Sequence, residues 1–514
     1  MHRREFLKAS AFAAAAPRPF ELDEITLDDI RNGLSSGRFT ARSLAERYLD
    51  RIREIDRAGP AVNAVIELNP DALSYATALD KAGRRVGPLH GVPVLIKDNI
   101  DTNDRMHTTA GSLALADSIT PADAFLVARL RTAGAVILGK SNLSEWANFR
   151  STRSVSGWSG RGGQTRLPYA LDRNPSGSSS GSGVAVAANL CAVAVGTETD
   201  GSVISPAAMN SMVGIKPTVG LISRTGIVPI SHSQDTAGPM ARNVRDAAIL
   251  LGVMAAVDPG DQATLAAAEQ PRDYTQFLNP AGLKGARLGV ARKFFGKNPD
   301  VDRVIESAIA EMKRQGAEIV DLADLPSHGK YSEPEGVVLQ YEFKADLNAY
   351  LAALGPSSGV RSLADLIAFN EKHADREMPI FGQETFIESE KRGPLTEKAY
   401  LDALADCRRL ARDEGIDAVI QKQRVDAIVA PTSAPAWLID YVQGDYSVPD
   451  CTTPAAVAGY PHITVPAGFV HGLPVGISFF GARWSEPVLL RIAYAFEQAT
   501  KARRPPKFLP TVQF

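Results

Sequence analysis

NPSGSSSGSGVAVAANLCAVAVGTETDGSVISP, residues 174–206, decides how the rest of the chain is read. It opens with a loop of small residues, Ser176 to Gly183. Two apolar runs follow, Val184 to Asn189 and Cys191 to Val195, and a second small-residue loop, Gly196 to Ser202, closes on Pro206. Small residues let a backbone adopt positive φ and come close to a ligand. A loop ahead of a helical run aims unpaired N–H groups at whatever binds there. A loop that leaves an apolar strand is where α/β proteins place chemistry. The stretch therefore predicts two serine-bearing loops at one sheet edge.

Several readings compete for these loops. A phosphate cradle lacks the Gly-Lys-Ser/Thr ending of a P-loop. Gly177-Ser178-Ser179-Ser180-Gly181 matches the G-x-S-x-G of a nucleophile elbow centred on Ser179, with His232, His328, His373, His462 and His471 as later partners. That elbow needs a strand running into the turn, and RLPYALDRNPS is a poor one with two prolines. A flexible Gly/Ser linker has no reason to be followed by a second Gly/Ser loop.

The chain has 514 residues, 45% hydrophobic and 22% charged, with a net charge of −2. This is an ordinary globular composition with no electrostatic footprint for nucleic acid. No run is long and apolar enough to span a bilayer, so no stable membrane insertion is expected. Cys191, Cys407 and Cys451 are too few and too scattered for a disulfide framework or a zinc site. With no H-E-x-x-H or Cys/His cluster, neither a metal nor a cofactor is expected. The start, MHRREFLKASAFAAAAP, resembles a twin-arginine export signal: Arg3 and Arg4 precede an Ala-rich segment ending at Ala16. Residues 1–16 are set aside on that reading, which predicts a periplasmic or secreted protein. The alternative is a cytoplasmic protein with a basic helical start.

Along the chain, residues 24–57 read as two amphipathic helices, with Leu44, Tyr48, Leu49, Ile52 and Ile55 on one face. Gly91 to Ile100 reads as a buried strand carrying Lys97. Asp123–Thr132 predicts a helix, 135–139 a strand, and SNLSEWANF (141–149) a helix started by a Ser cap. Residues 150–176 are irregular, 213–218 a strand, and 231–257 a loop followed by a helix. After a polar excursion at 258–285 the strand–helix pattern resumes. Residues 331–422 are largely helical, strands return at 426–432, 462–468 and 473–481, and a helix closes the chain. The pattern predicts an α/β fold. Its expected form is one large domain over 17–514, a central mixed β-sheet covered by helices on both faces. The segment about 331–422 is a helical insertion, or alternatively a separate lobe.

Three separated elements resemble the amidase signature family of serine hydrolases. Ser178 stands in its first serine loop, Ser202 in the second, 24 residues on, and Lys97 in GVPVLIKDNID. DTAGPMAR (235–242), AGYPHITVP (458–466) and GLPVG (472–476) match further family blocks. Within the family the likeness is to the bacterial peptide amidases, which remove the C-terminal carboxamide of peptides. NLSEWANF (142–149), SGWSGRGGQTR (156–166), GTETDGS (196–202), YEFKADL (341–347) and RSLADLIAFN (361–370) carry it. The chain departs from the broad family at Asp200, where a glycine is usual, and at Ile204, where an arginine is usual. Losing that cation fits an uncharged amide better than an anionic substrate.

The resemblance implies catalysis by Lys97, Ser178 and Ser202. Ser202 is the nucleophile, Ser178 the proton bridge and Lys97 a neutral base. Backbone N–H groups of Thr199, Asp200, Gly201 and Ser202 form the oxyanion hole, and the Asp200 carboxylate must then point away. An unperturbed lysine has a pKa of about 10.4, so holding it neutral near pH 7 requires roughly 4 kcal/mol of differential solvation. Ser179, Ser180 and Ser182 are read as loop packing and caps. The expected substrate is a peptide or small-molecule amide, with ammonia released. The rivals are a broad aryl or aliphatic amidase, the amidase component of a tRNA-dependent amidotransferase, and a catalytically dead binding protein.

Overall fold

The computed structural model describes residues 20–355, 358–446 and 450–514. The candidate export signal, 1–16, lies outside the described residues. The strands of the main sheet are β1 (Val65–Leu68), β2 (Pro93–Lys97), β3 (Val136–Ser141), β4 (Val193–Glu198), β5 (Val213–Lys216) and β6 (Thr236–Ala241). They continue with β7 (Arg287–Val290), β8 (Glu318–Val320), β9 (Ala427–Pro431), β10 (His462–Val470) and β11 (Leu473–Phe480). Their order across the 11-stranded sheet is β1-β3-β2-β4-β6-β5-β10-β11-β9-β7-β8. β3, β2 and β4 run parallel, as do β9, β7 and β8, and the middle of the sheet is antiparallel. The sheet is mixed, as expected.

Side chains of a strand alternate between faces, so a strand buried at every position is covered on both. β2, β4 and β6 are buried at every position. The helix Ser180–Ala187 packs on β2, β3, β4 and β6, Val244–Met254 on β4, β5 and β6, and Glu486–Thr500 on β10 and β11. The amphipathic face read from sequence is real: Leu44, Tyr48, Leu49, Ile52 and Ile55 are all buried.

Helices fill most of 331–422, led by Ser332–Ala353, Leu363–Lys372 and Lys398–Arg408. They seat on the rest of the chain at two places. One cluster joins Tyr341, Tyr400 and Leu410 to Ile428 of β9 and Phe480 of β11. The other joins Phe343, Leu347 and Phe386 to Ala110, Trp146 and Val228.

Two local readings fail. Residues 141–149 do not form a helix. β3 continues to Ser141, and Trp146, Ala147 and Asn148 take positive φ in a left-handed turn. Burial wins there: Trp146 packs on Phe386 and its N–H bonds to the Ala110 carbonyl at 2.9 Å. Residues 236–241, read as loop, form the interior strand β6 despite Pro239. β5 pairs with β6 only at Ala241 and Met240. Pro239 therefore pairs on one side only, opposite Val195 of β4, where a missing N–H is tolerated.

Gly181, in the first serine loop, has no room for a side chain. A Cβ there would sit 2.6 Å from the Asn142 nitrogen, and closer still to the Ala64 carbonyl oxygen. Those atoms are backbone and cannot step aside. Gly181→Ala is expected to destabilise the fold by about 1–3 kcal/mol or more. Urea unfolding measures this, and a midpoint equal to wild type would refute the close packing.

Candidate active site

Lys97 is the last residue of β2, whose parallel pairing with β4 sets Ile96 opposite Val195. This register brings the lysine beside Thr197, near the end of β4. The Lys97 side chain is fully buried. Its Nζ lies 2.7 Å from Ser178 Oγ, 2.9 Å from Thr197 Oγ1 and 3.1 Å from the Thr197 carbonyl oxygen. All three partners are uncharged. Burial lowers the lysine from 10.5 to about 7, against the more distant pull of Glu198 and Asp235.

The sheet buries two other lysines, and their surroundings differ. Burial lowers Lys216 to about 8, with Glu198 and Glu486 opposing. Lys140 donates to the Ile100 carbonyl and to Thr108 Oγ1, with Asp98 and Asp101 opposing its desolvation. Among the three, Lys97 is the one whose amine meets a serine hydroxyl.

Ser178 is buried and lies on the loop that starts the helix Ser180–Ala187. Its carbonyl accepts from the Ser144 N–H at 3.1 Å, and the next N–H, of Ser179, donates to the Ser202 carbonyl at 3.0 Å. The second bond lays the first serine loop against the main chain of Ser202. Ser202 keeps 8% exposure, and its hydroxyl has no hydrogen-bond partner among the described residues. The neighbouring serines serve the loop. Ser179 Oγ bonds both the carbonyl and the N–H of Thr197, Ser180 Oγ donates to the Ser176 carbonyl, and Ser182 Oγ donates to the Val195 carbonyl.

The elbow reading of Ser179 finds no support. Among the described residues no histidine bonds to Ser178, Ser179 or Ser202. His232 faces Asp346 and Glu342, His462 faces Ser478, and His471 faces Asp300. His328 and His373 pack on Phe294 and Phe369.

Residues 199–202 form the turn after β4, with Gly201 at φ 73°. Glu198 Oε2 accepts from the N–H groups of Val203 at 2.7 Å and Ile204 at 2.9 Å. The N–H groups of Thr199, Asp200, Gly201 and Ser202 have no protein acceptor among the described residues. They remain available to an incoming oxygen. The Asp200 carboxylate is held sideways by Thr452 Oγ1 at 2.7 Å, which also donates to Asp450 at 3.1 Å. A cavity of about 160 Å³ opens beside this turn, lined in part by Gly177, Asp200, Gly201, Trp437 and Asp450. Burial raises both aspartates, and the Asp200 carboxylate adds to the rise at Asp450, which reaches about 7.

Sequence reasoning missed Thr197 and Asn99. Asn99 Nδ2 donates to Thr197 Oγ1 at 3.0 Å, which fixes the hydroxyl against Lys97. Their one signal was position: Asn99 follows Lys97 by two residues, and Thr197 sits within the second motif.

The buried lysine and the two serine loops stand where the motifs of the amidase signature family place them. A family model described as amidase matches residues 43–490, and the chain belongs to that family, whose members hydrolyse amide bonds. It is similar to a probable amidase of Arabidopsis thaliana, 46% identical over 95% of this chain and 93% of that one. A glutamyl-tRNA(Gln) amidotransferase chain of Symbiobacterium thermophilum is 37% identical over 91% of this chain and 95% of that one. Among solved structures, native peptide amidase from Stenotrophomonas maltophilia superposes with a TM-score of 0.91. It is 51% identical, over 95% of this chain and all of that one.

The lysine's depressed value makes it a cost to folding. Its folded pKa lies below the unfolded one, so between about 7 and 10.5 the unfolded chain holds a proton that the folded chain does not. The stability contribution of Lys97 therefore rises with pH across that window, and the penalty is full below it. Lys97→Met removes the titration. The variant's stability relative to wild type is expected to be highest below pH 7 and to fall toward pH 10. Parallel denaturation curves at several pH values check this; a constant difference would refute a neutral buried amine.

Proposed function

We propose that this amidase removes the C-terminal carboxamide of peptides as ammonia, with Ser202, Ser178 and Lys97 as its catalytic residues. The observation that carries the reading is the 2.7 Å contact between the buried amine of Lys97 and Ser178. A neutral amine near pH 7 accepts the Ser178 proton as Ser178 accepts that of Ser202. Ser202 Oγ attacks the amide carbon, and the carbonyl oxygen becomes an anion facing the N–H groups of residues 199–202. Donors of this kind contribute about 3–4 kcal/mol each where they have been measured. Ser178 then passes its proton to the leaving nitrogen and recovers one from Lys97, so ammonia departs and an acyl-enzyme remains. Water repeats the relay in the opposite direction and releases the acid.

The acidic groups beside the turn support an uncharged substrate end. A carboxylate entering the cavity would meet Asp200 and Asp450, whereas a carboxamide offers them N–H donors. Ile204, in place of a cation, points the same way. The likeness to the Stenotrophomonas maltophilia peptide amidase supports peptides as substrates. The likeness to the glutamyl-tRNA(Gln) amidotransferase chain favours glutamine as a second reading, and one assay separates them.

The test incubates the protein with an amidated peptide, its free acid and glutamine. Ammonia loss at the C-terminus alone, read by mass spectrometry, is the expected result; glutamine turnover with the peptide untouched would overturn the assignment. Ser202→Ala and Lys97→Ala are each expected to lower kcat/KM at least about a thousandfold with the fold intact. Wild-type kcat/KM should rise with pH through about 7, as Lys97 loses its proton. A flat profile from pH 5 to 9, or near-normal turnover in either variant, would reject this relay.

A further inference from the structure

A second cavity, apart from the one beside the turn, takes no part in the chemistry above. It is a groove of about 720 Å³ on the surface formed by the helices Leu27–Ser35, Phe125–Thr132 and Val244–Met254. Its floor is apolar, with Phe125, Ala128, Ile249 and Val253. No residue lining it belongs to the Lys97, Ser178 and Ser202 loops. Grooves of about 300–1,000 Å³ with apolar walls and a few placed polar groups are the usual form of small-molecule sites.

The polar groups are mostly cations. Arg31 and Arg245 line the groove and share one carboxylate, Asp28, at 2.9 and 2.6 Å. Three further arginines, Arg85, Arg129 and Arg272, have no carboxylate within ion-pair distance among the described residues. Arg85 donates to the carbonyls of Gly87 and Pro88, Arg129 to that of Val253 at 2.7 Å, and Arg272 to that of Ala267 at 3.2 Å. The second acid of the lining, Asp273, is taken up by the N–H and hydroxyl of Thr275. Burial and the nearby Arg272 guanidinium both disfavour the charge on Arg129. Two guanidiniums that repel each other over an apolar floor are relieved by one anion between them. The chain's own first 19 residues do not suit this groove, since they carry four cations and one carboxylate.

We propose that this groove binds an organic monoanion, a carboxylate or sulfonate on an apolar body. The head sits between Arg129 and Arg272, and the body lies along Phe125, Ile249 and Val253. The planar guanidinium fork suits such a head group, and the body accounts for the apolar floor.

Calorimetry with the full-length protein tests this, using octanoate as the probe and octan-1-ol and octylammonium as controls. Octanoate is expected to bind saturably, octan-1-ol at least about tenfold more weakly and octylammonium not at all. Arg272→Ala, at an exposed position, should weaken octanoate at least about tenfold while amidase turnover and the thermal midpoint stay at wild-type values. Ala128→Glu, which places an anion on the floor, should abolish binding. Absence of saturable octanoate binding at millimolar concentration would overturn the proposal. So would octan-1-ol binding as tightly as octanoate, or unchanged affinity in folded Arg272→Ala.

Discussion

The structure depends on holding one amine away from water and against a hydroxyl. Neutral lysine at physiological pH requires a site in which charge is poorly solvated and no close anion restores it. Lys97 meets both conditions, because its contacts are a serine, a threonine hydroxyl and a carbonyl. Burial lowers Lys216 and Lys140 as well, but their amines bond to the Pro217 carbonyl and to the Ile100 carbonyl and Thr108, with no serine hydroxyl among their partners. Parallel pairing of β2 and β4 is what makes the difference. It brings Lys97 and Thr197 together at neighbouring ends of two strands that are buried along their length.

The turn after β4 follows from the same economy of polar groups. Glu198 accepts the N–H groups of Val203 and Ile204, those of the helix Ile204–Met209 and the residue before it. A carboxylate at a helix start is favourable, and this one satisfies orphan donors there. The four N–H groups upstream are left without a protein partner among the described residues. Thr452 draws the Asp200 carboxyl group aside, away from those donors and toward the cavity. The acidic side chain and the N–H cluster thus occupy one turn without cancelling each other.

The family motifs and the fold class could be read directly, because both rest on short-range signals. Lys97 sat in an uninterrupted apolar run, and the two serine loops flanked a helix–strand unit. The helical character of 331–422 was also legible. Thr197 and Asn99 were not, since their role comes from strand register rather than residue type. The arginine groove was equally hidden. Its cations come from separate segments around residues 31, 85, 129, 245 and 272, and no window of sequence contains them together. β6 was missed because Pro239 reads as a strand breaker, and only the short pairing of β5 explains why it is tolerated.

The failure at 141–149 has a different origin. A helix begun at Ser141 would satisfy local propensity and a Ser cap. Instead the chain holds three residues at positive φ, one of them a tryptophan, which local energetics disfavours. The turn delivers the Ser144 N–H to the Ser178 carbonyl and its hydroxyl to the Gly157 N–H. It also brings Asn142 against Gly181 and the Trp146 ring against Phe386 of the helical segment. The Ser144 and Asn142 contacts steady the loop that carries Ser178. A helical 141–149 would move Ser144 off that loop and leave a buried carbonyl unpaired. Local preference therefore yields where the serine loop needs an external brace, and departures of this kind concentrate around sites rather than in the body of a fold.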